Sequence, residues 1–278
     1  MIDDGELEVE DKKKTTLTPE QETLLVPLYC KALRGNPIFS DEKAGDILVH
    51  IDYDFDQLRI PRKTCIMMCL RARQFDAYTQ EFLAGHPKSV VAHLGCGLDG
   101  RYHRMSNSEV EWYDQDKPAV IELRKKFYTE TEKYHLLSSS ATELKWIDSI
   151  SPEGRAVLVI AEGLFMYLKE AEVSDLIVAL QGAFPGCHVI FDVYSRFTAK
   201  RVKDHPSIRK TGARVQWGID DAKEIERWST GIHLKEERYF SQFNGIDRLN
   251  WNYNLAFRLA NLFPVARRAH RILYYTLS

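Results

Sequence analysis

The chain of 278 residues, 44% hydrophobic and 28% charged, has the composition of an ordinary globular protein and the length of one large domain. Its formal net charge of -2 gives no electrostatic case for binding nucleic acid or an anionic membrane. No apolar run approaches the roughly 18 residues of a transmembrane helix, and the opening MIDDGELEVEDKKK is polar where a secretion signal is apolar, so the cytoplasm is the expected compartment.

Residues 1–16 are charged and poor in apolar side chains, as expected of a flexible N-terminus. Residues 17–87 carry mostly helical patterns and form the expected helical lid region. Thr18-Pro19-Glu-Gln-Glu opens a first helix, with Thr18 as N-cap, Pro19 at the first helical position and Gln21 three residues beyond the cap. A second helix starts after Ser40-Asp41, and a third covers Cys65 to Leu83, stopped by Gly85-His-Pro87. From residue 88 to 278 short apolar runs alternate with helices. The runs are Ser89–Leu94, Val110–Tyr113, His135–Ser138, Ala156–Ala161 and His188–Val193; helices are expected at Lys117–Thr131 and Lys169–Phe184. Such alternation implies right-handed crossovers and a doubly wound, mostly parallel sheet. His233–Phe240 and Ile272–Leu277 supply two more strands, with a helical insertion around 245–270, all within one structural domain.

The first strand runs into Gly95-Cys96-Gly97-Leu98-Asp99-Gly100, a GxGxxG pattern. Glycines there allow a tight turn and bring backbone N–H groups against a ligand. An acid about twenty residues further on would hold ribose hydroxyls, and Asp114 and Asp116 both stand in that place. The combination points to an adenosine-containing ligand, either a dinucleotide or S-adenosylmethionine. A pyrophosphate would sit badly beside the Asp99 carboxylate, whereas the ammonium of a methionine tail would not, so S-adenosylmethionine is favoured. Five cysteines with no CxxC pair suit free thiols in a reducing compartment. No histidine spacing marks a metal site.

Several further segments join the glycine loop in a wider pattern. They are Thr23-Leu-Leu-Val-Pro-Leu-Tyr29, Asp41-Glu-Lys-Ala44, Ile51-Asp-Tyr-Asp-Phe55, Arg71-Ala-Arg73-Gln-Phe-Asp76, Tyr113-Asp-Gln-Asp116 and Ala161-Glu162-Gly163-Leu-Phe-Met-Tyr167-Leu168. Together they resemble the leucine carboxyl methyltransferase family, in particular its polyketide-synthesis O-methyltransferase branch. The resemblance implies a Rossmann-like α/β core of seven strands with an antiparallel last strand. It also implies S-adenosylmethionine as cofactor and S-adenosylhomocysteine as product. It places Arg73 on the methionine carboxylate, Gly95 and Gly97 against the methionine portion, and Asp116 on the ribose. Ser140 and Ala141 fall beside the adenine, and Glu162 at the methionine ammonium or the wall of the transfer site. Tyr167 and Tyr29, the two catalytic candidates, would lie on the substrate side. The chain departs from the family at Asp99-Gly100-Arg101, usually Asp-Thr-Arg, and at Ser140-Ala141-Thr142, where an Asp-Leu-Arg-like triplet is common.

Methyl transfer from a sulfonium needs chiefly an aligned oxygen nucleophile. A carboxylate arrives ionised, while a hydroxyl profits from a base, and no base stands out in the sequence. The expected reaction is O-methylation of a hydroxyl or carboxylate on a small molecule. Carboxyl methylation of a protein C-terminus, a non-catalytic cofactor-binding protein and a nicotinamide oxidoreductase remain as alternatives. The sequence does not decide the oligomeric state.

Overall fold

The computed structural model describes residues 19–32, 38–105, 107–202 and 214–278. Three helices come first: α1 (Pro19–Ala32), α2 (Glu42–His50) and α3 (Arg62–Gly85). Pro19 opens α1 as expected, while its expected cap, Thr18, lies outside the described residues. Asp41 caps α2 by accepting from the backbone N–H of Ala44 at 3.2 Å.

The strands are β1 (Val90–Leu94), β2 (Glu111–Asp116), β3 (Tyr134–Ser138), β4 (Val157–Ala161), β5 (Cys187–Tyr194), β6 (Ile232–Tyr239) and β7 (His270–Leu277). Between them lie α4 (Arg101–Met105), α5 (Pro118–Arg124), α6 (Glu170–Ala183), α7 (Arg196–Val202), α8 (Trp251–Asn261) and α9 (Pro264–Arg267). The sheet order is β3-β2-β1-β4-β5-β7-β6, with β7 antiparallel to both its neighbours.

Alternation along the strands divides two cores across the sheet. Val91, Trp112, Leu158, Ile190 and Tyr274 pack with α1–α3, whereas Val90, Val159, Val189, Phe191 and Tyr275 pack with α6. The N-terminal helices therefore share one continuous core with the sheet. The strand order reverses between β1 and β4, and in open α/β sheets ligands bind beyond the carboxyl ends of the strands at that point. Leu94, before the glycine loop, and Ala161, before Glu162, are the two strand ends that flank it.

Three expectations need correction. Strand β2 runs three residues further than expected, to Asp116, because its polar end is buried against partners from other elements. Helix α5 stops at Arg124, seven residues short of Thr131; the chain then turns, and the Tyr128 hydroxyl donates to the carbonyl of Leu98 at 3.0 Å. Not all cysteines are free: Cys30 of α1 and Cys65 of α3 form a disulfide, while Cys69, Cys96 and Cys187 are buried thiols. Helix packing, invisible in the spacing of 35 residues, brings that pair together.

Candidate active site

The glycine loop is built as a cradle. Gly95 and Gly97 have φ of +61° and +53°, in the left-handed region that disfavours a side chain. A Cβ on Gly95 would lie 3.1 Å from Leu164, and one on Gly97 would lie 3.2 Å from Leu24 of α1. Asp116, at the end of β2, accepts from the N–H of Gly97 at 2.8 Å and from that of Lys117 at 2.7 Å. Burial pushes its carboxyl above the usual range despite those two bonds. Asp114 is committed elsewhere: it accepts from Trp112 Nε1 at 2.9 Å, from the Tyr134 hydroxyl at 2.6 Å and from Arg124. Burial would raise its pKa, but Arg124 and the His93 bond outweigh that and bring it down to about 2. Of the two acids the sequence left open, only Asp116 faces the loop. Arg124 also donates to the carbonyls of Gly97 at 2.8 Å and Asp99 at 2.9 Å, fixing the loop from below.

Around the cradle lies a buried ionic cluster. Glu162 accepts from Arg71 Nε at 2.9 Å and Arg101 Nη2 at 2.5 Å, with Lys31 Nζ at 3.9 Å. Asp99 pairs with Lys31 at 2.7 Å and Arg104 at 2.9 Å. Asp76 holds Arg101 and Arg104, each at 2.8 Å, and Asp41 holds Arg104 at 2.7 Å. Burial alone would raise the pKa of Glu162 and Asp99, but Lys31, Arg101 and further arginines hold both well below the usual carboxylate range.

Arg71 carries the cluster toward β5. Its Nη1 donates to Asp192 at 3.1 Å, and Asp192 also accepts from the N–H of Gly163 and from His270 Nε2 at 2.6 Å. His270, the first residue of β7, packs at a tilt against Tyr194 and Phe240, with ring centroids 4.6 and 4.8 Å away. Burial lowers its pKa, and Asp192 only partly opposes this, so the imidazole is neutral near pH 7. Burial raises the pKa of Tyr167 and Tyr194, and the charges of Arg71 and Asp192 act on both.

The structure brings together Gly95, Gly97, Asp116, Glu162 and Tyr167, but two nominated residues lie elsewhere. Arg73 donates through Nη1 to the carbonyl of Ile38 at 3.0 Å and packs beside Gly245, whereas Arg71, two residues earlier, joins the ionic cluster through Glu162. Tyr29 stacks on Phe55, while its helix instead offers Lys31 and Leu24 to the loop. Ser140 and Ala141 follow β3: Ser140 Oγ pairs with Thr142 Oγ1 at 2.9 Å, and the Ala141 carbonyl accepts from Trp146 Nε1 at 3.1 Å. Lys31, Arg71, Asp192 and His270 were not picked out from sequence. For Arg71 a signal existed. It shares a helical face with buried Phe75, Tyr78 and Phe82, whereas Arg73 aligns with exposed Gln80 and Ala84.

Comparison with known proteins places the chain in a family. A sequence model of the leucine carboxyl methyltransferase family matches residues 33–181. The chain is 38% identical, over 80% of its length and 83% of the relative's, to a tetracenomycin polyketide synthesis O-methyltransferase of Streptomyces glaucescens. It is 28% identical, over 93% of its length and 95% of the relative's, to an S-adenosyl-L-methionine-dependent methyltransferase of Gibberella zeae. A DUF574 family protein from Streptomyces avermitilis has a similar fold, with TM-score 0.57 at 10% identity, covering 94% of this chain and 100% of that one.

Proposed function

The chain belongs to the leucine carboxyl methyltransferase family, and from that premise we propose that it methylates a carboxylate oxygen of a small organic acid, using S-adenosylmethionine. The cofactor fits the charge of the site. Asp41, Asp76, Asp99, Glu162 and Asp192 face four permanent cations, Lys31, Arg71, Arg101 and Arg104. That leaves an uncompensated carboxylate suited to a ligand with a sulfonium, an ammonium and one carboxylate, and ill suited to a pyrophosphate. Gly95 and Gly97 offer close backbone approach, and Asp116 stands at the ribose position. Ser140 and Ala141 lie at the adenine edge, Glu162 at the ammonium, and Arg71 with Lys31 at the carboxylate.

When bound, S-adenosylmethionine supplies an electrophilic methyl on a positively charged sulfur. The protein's task is alignment of the acceptor and exclusion of water. The observation that favours a carboxylate acceptor is that the acids of the site are already engaged: Glu162 by Arg71 and Arg101, Asp99 by Lys31 and Arg104, and Asp192 by Arg71 and His270. Cations hold these carboxylates below the usual range and make them weak bases, while burial raises the pKa of Tyr167 and Tyr194. An acceptor oxygen that arrives already ionised needs nothing more. One observation favours a second reading: His270, neutral and oriented by Asp192, has the form of a base for a hydroxyl acceptor.

The test is transfer of radiolabelled methyl from S-adenosylmethionine to a panel of aromatic acids, the corresponding phenols and peptides ending in a free carboxylate. Methyl esters release methanol in mild alkali, whereas methyl ethers do not. An alkali-labile small-molecule product is expected. An alkali-stable product whose formation fails in His270→Gln would establish the hydroxyl reading, and labelling of peptides alone would make the acceptor a protein tail.

A further inference from the structure

The face of the molecule formed by α8, α9 and their connection is unlike the rest of its surface. At about 100° per residue, Trp251, Leu255, Leu259 and Leu262 fall on one side of α8 and its end, and Tyr253 and Phe257 on the other. The second side packs into the core; the first is in solvent. Trp251 is 72% exposed and Leu262 73%, and the stripe continues over the turn into α9 with Phe263 at 64% and Val265 at 61%. Isolated exposed apolar residues are ordinary, but a contiguous stripe with a protruding tip marks an interaction surface.

Charge identifies the occupant. From Leu249 to Ser278 there is no Asp or Glu, and Arg258, Arg267 and Arg268 are exposed around the stripe. Arg258 falls on the same side of α8 as Trp251 and Leu262, and Arg267 lies over the Tyr239 ring at 4.2 Å. The chain is net acidic, so this basic rim is a local segregation that the total charge hides. An apolar stripe with an indole at one end, a Leu-Phe tip at the other and arginines beside both matches the interface of an anionic bilayer. There the side chains enter the headgroup boundary while the guanidinium groups meet phosphate. A second copy of the chain fits less well, because an isologous contact would set the same arginines against each other with no acid in the segment to balance them.

We propose that the α8–α9 face docks the protein reversibly on an anionic membrane surface. Its apolar tip lies seven residues before His270, so the docked edge leads into the strand that borders Asp192. This placement suits an acceptor that partitions into lipid. Docking does not depend on the identity of the acceptor, and its readout is independent of methyl transfer.

The test mixes the full-length protein with vesicles of phosphatidylcholine alone or of phosphatidylcholine and phosphatidylglycerol in equal parts. Sedimentation is read together with tryptophan emission. Trp112, Trp146 and Trp217 are buried and Trp228 is half-buried, which leaves Trp251 as the exposed reporter. Expected are sedimentation with the anionic vesicles, a blue shift of emission and release in high salt. Leu262→Ser/Phe263→Ser and Arg267→Glu/Arg268→Glu should each weaken this at least about tenfold, with binding of S-adenosylhomocysteine intact as the check on folding. The proposal is overturned if the protein sediments with neither vesicle. It is equally overturned if light scattering shows a dimer that the Leu262/Phe263 variant dissociates, because a second copy then covers the stripe.

Discussion

Two arginines two residues apart on α3 provide a sharp test of the site. Arg71→Met removes the guanidinium that bridges Glu162 and Asp192. Breaking a buried ion pair by deleting one partner typically costs about 3–5 kcal/mol. Here the low end applies, because Glu162 keeps Arg101 at 2.5 Å and Asp192 keeps His270 at 2.6 Å and the Gly163 N–H. A loss of about 3 kcal/mol corresponds to a fall of roughly 6–12 °C in Tm for a chain of this size. If Arg71 also holds the cofactor carboxylate, a charged hydrogen bond of about 1.5–3 kcal/mol disappears, and affinity for S-adenosylhomocysteine drops roughly 10- to 100-fold. Arg73→Met gives up one bond to the Ile38 carbonyl and a buried Nε that has no partner, so its cost is about 1 kcal/mol or less and affinity is unchanged. Calorimetric titration of both variants, with melting curves run in parallel, measures each quantity. Retained affinity in Arg71→Met with lost affinity in Arg73→Met would refute the assignment.

The Cys30–Cys65 disulfide closes a separation of 35 residues, for which the chain-entropy relation gives about 3–4 kcal/mol. Thiol titration of denatured, unreduced protein should find three free thiols instead of five, and Cys65→Ser should lower the Tm by several degrees; a count of five would show the pair unbridged. His188, hydrogen-bonded to the Tyr274 hydroxyl at 2.7 Å, is lowered to about 4 by burial and then by Lys235 and His86. The unfolded chain therefore takes up this proton first. Stability should be level above pH ~6.5 and decline as pH falls toward about 4. For this half-buried group the decline is on the order of 1–2 kcal/mol after solvent screening. His103 and His270 shift in the same direction. His188→Gln should accordingly remove only its own share of the slope in melting curves across that range, and an unchanged slope would contradict the shift. Loss of the Asp114 contribution belongs to a lower window, toward about pH 2.

The order of the elements was legible because each strand is a short apolar run bounded by turn residues, and apolar periodicity survives translation into packing. The errors came where tertiary contacts override local pattern. Asp114-Gln115-Asp116 looks like a loop in sequence, yet it ends a buried strand because Arg124, Tyr134, His93 and the Gly97 N–H arrive from elsewhere to satisfy it. The cradle was readable for the same reason that it is built from glycines: positive φ and close approach leave a mark in the chain. Lys31, Asp192 and His270 left none. Each is a single polar residue whose meaning depends on distant partners: Lys31 on Asp99, 68 positions away, and Asp192 and His270 on each other, 78 positions apart. The surface suffered a similar loss, since a total charge of -2 gives no hint that one segment of thirty residues is free of acid.

The ionic cluster and α1 form one device. Leu24 lies against Gly97, and Lys31, two turns further along the same helix, neutralises Asp99 behind the loop. Pro27 lies between the two and interrupts the helical hydrogen-bond ladder, so the half that bears Leu24 and the half that bears Lys31 need not move as one body. Cys30 precedes Lys31 and is tied to α3, the helix that carries Arg71. Displacement of α1 is thus pinned at its C-terminal end, and the freer motion is a swing of the end that bears Leu24. A swing of that end would uncover Gly97 while Lys31 stays beside Asp99. That arrangement leaves both buried carboxylates paired while the cradle opens, Asp99 with Lys31 and Arg104 and Glu162 with Arg71 and Arg101.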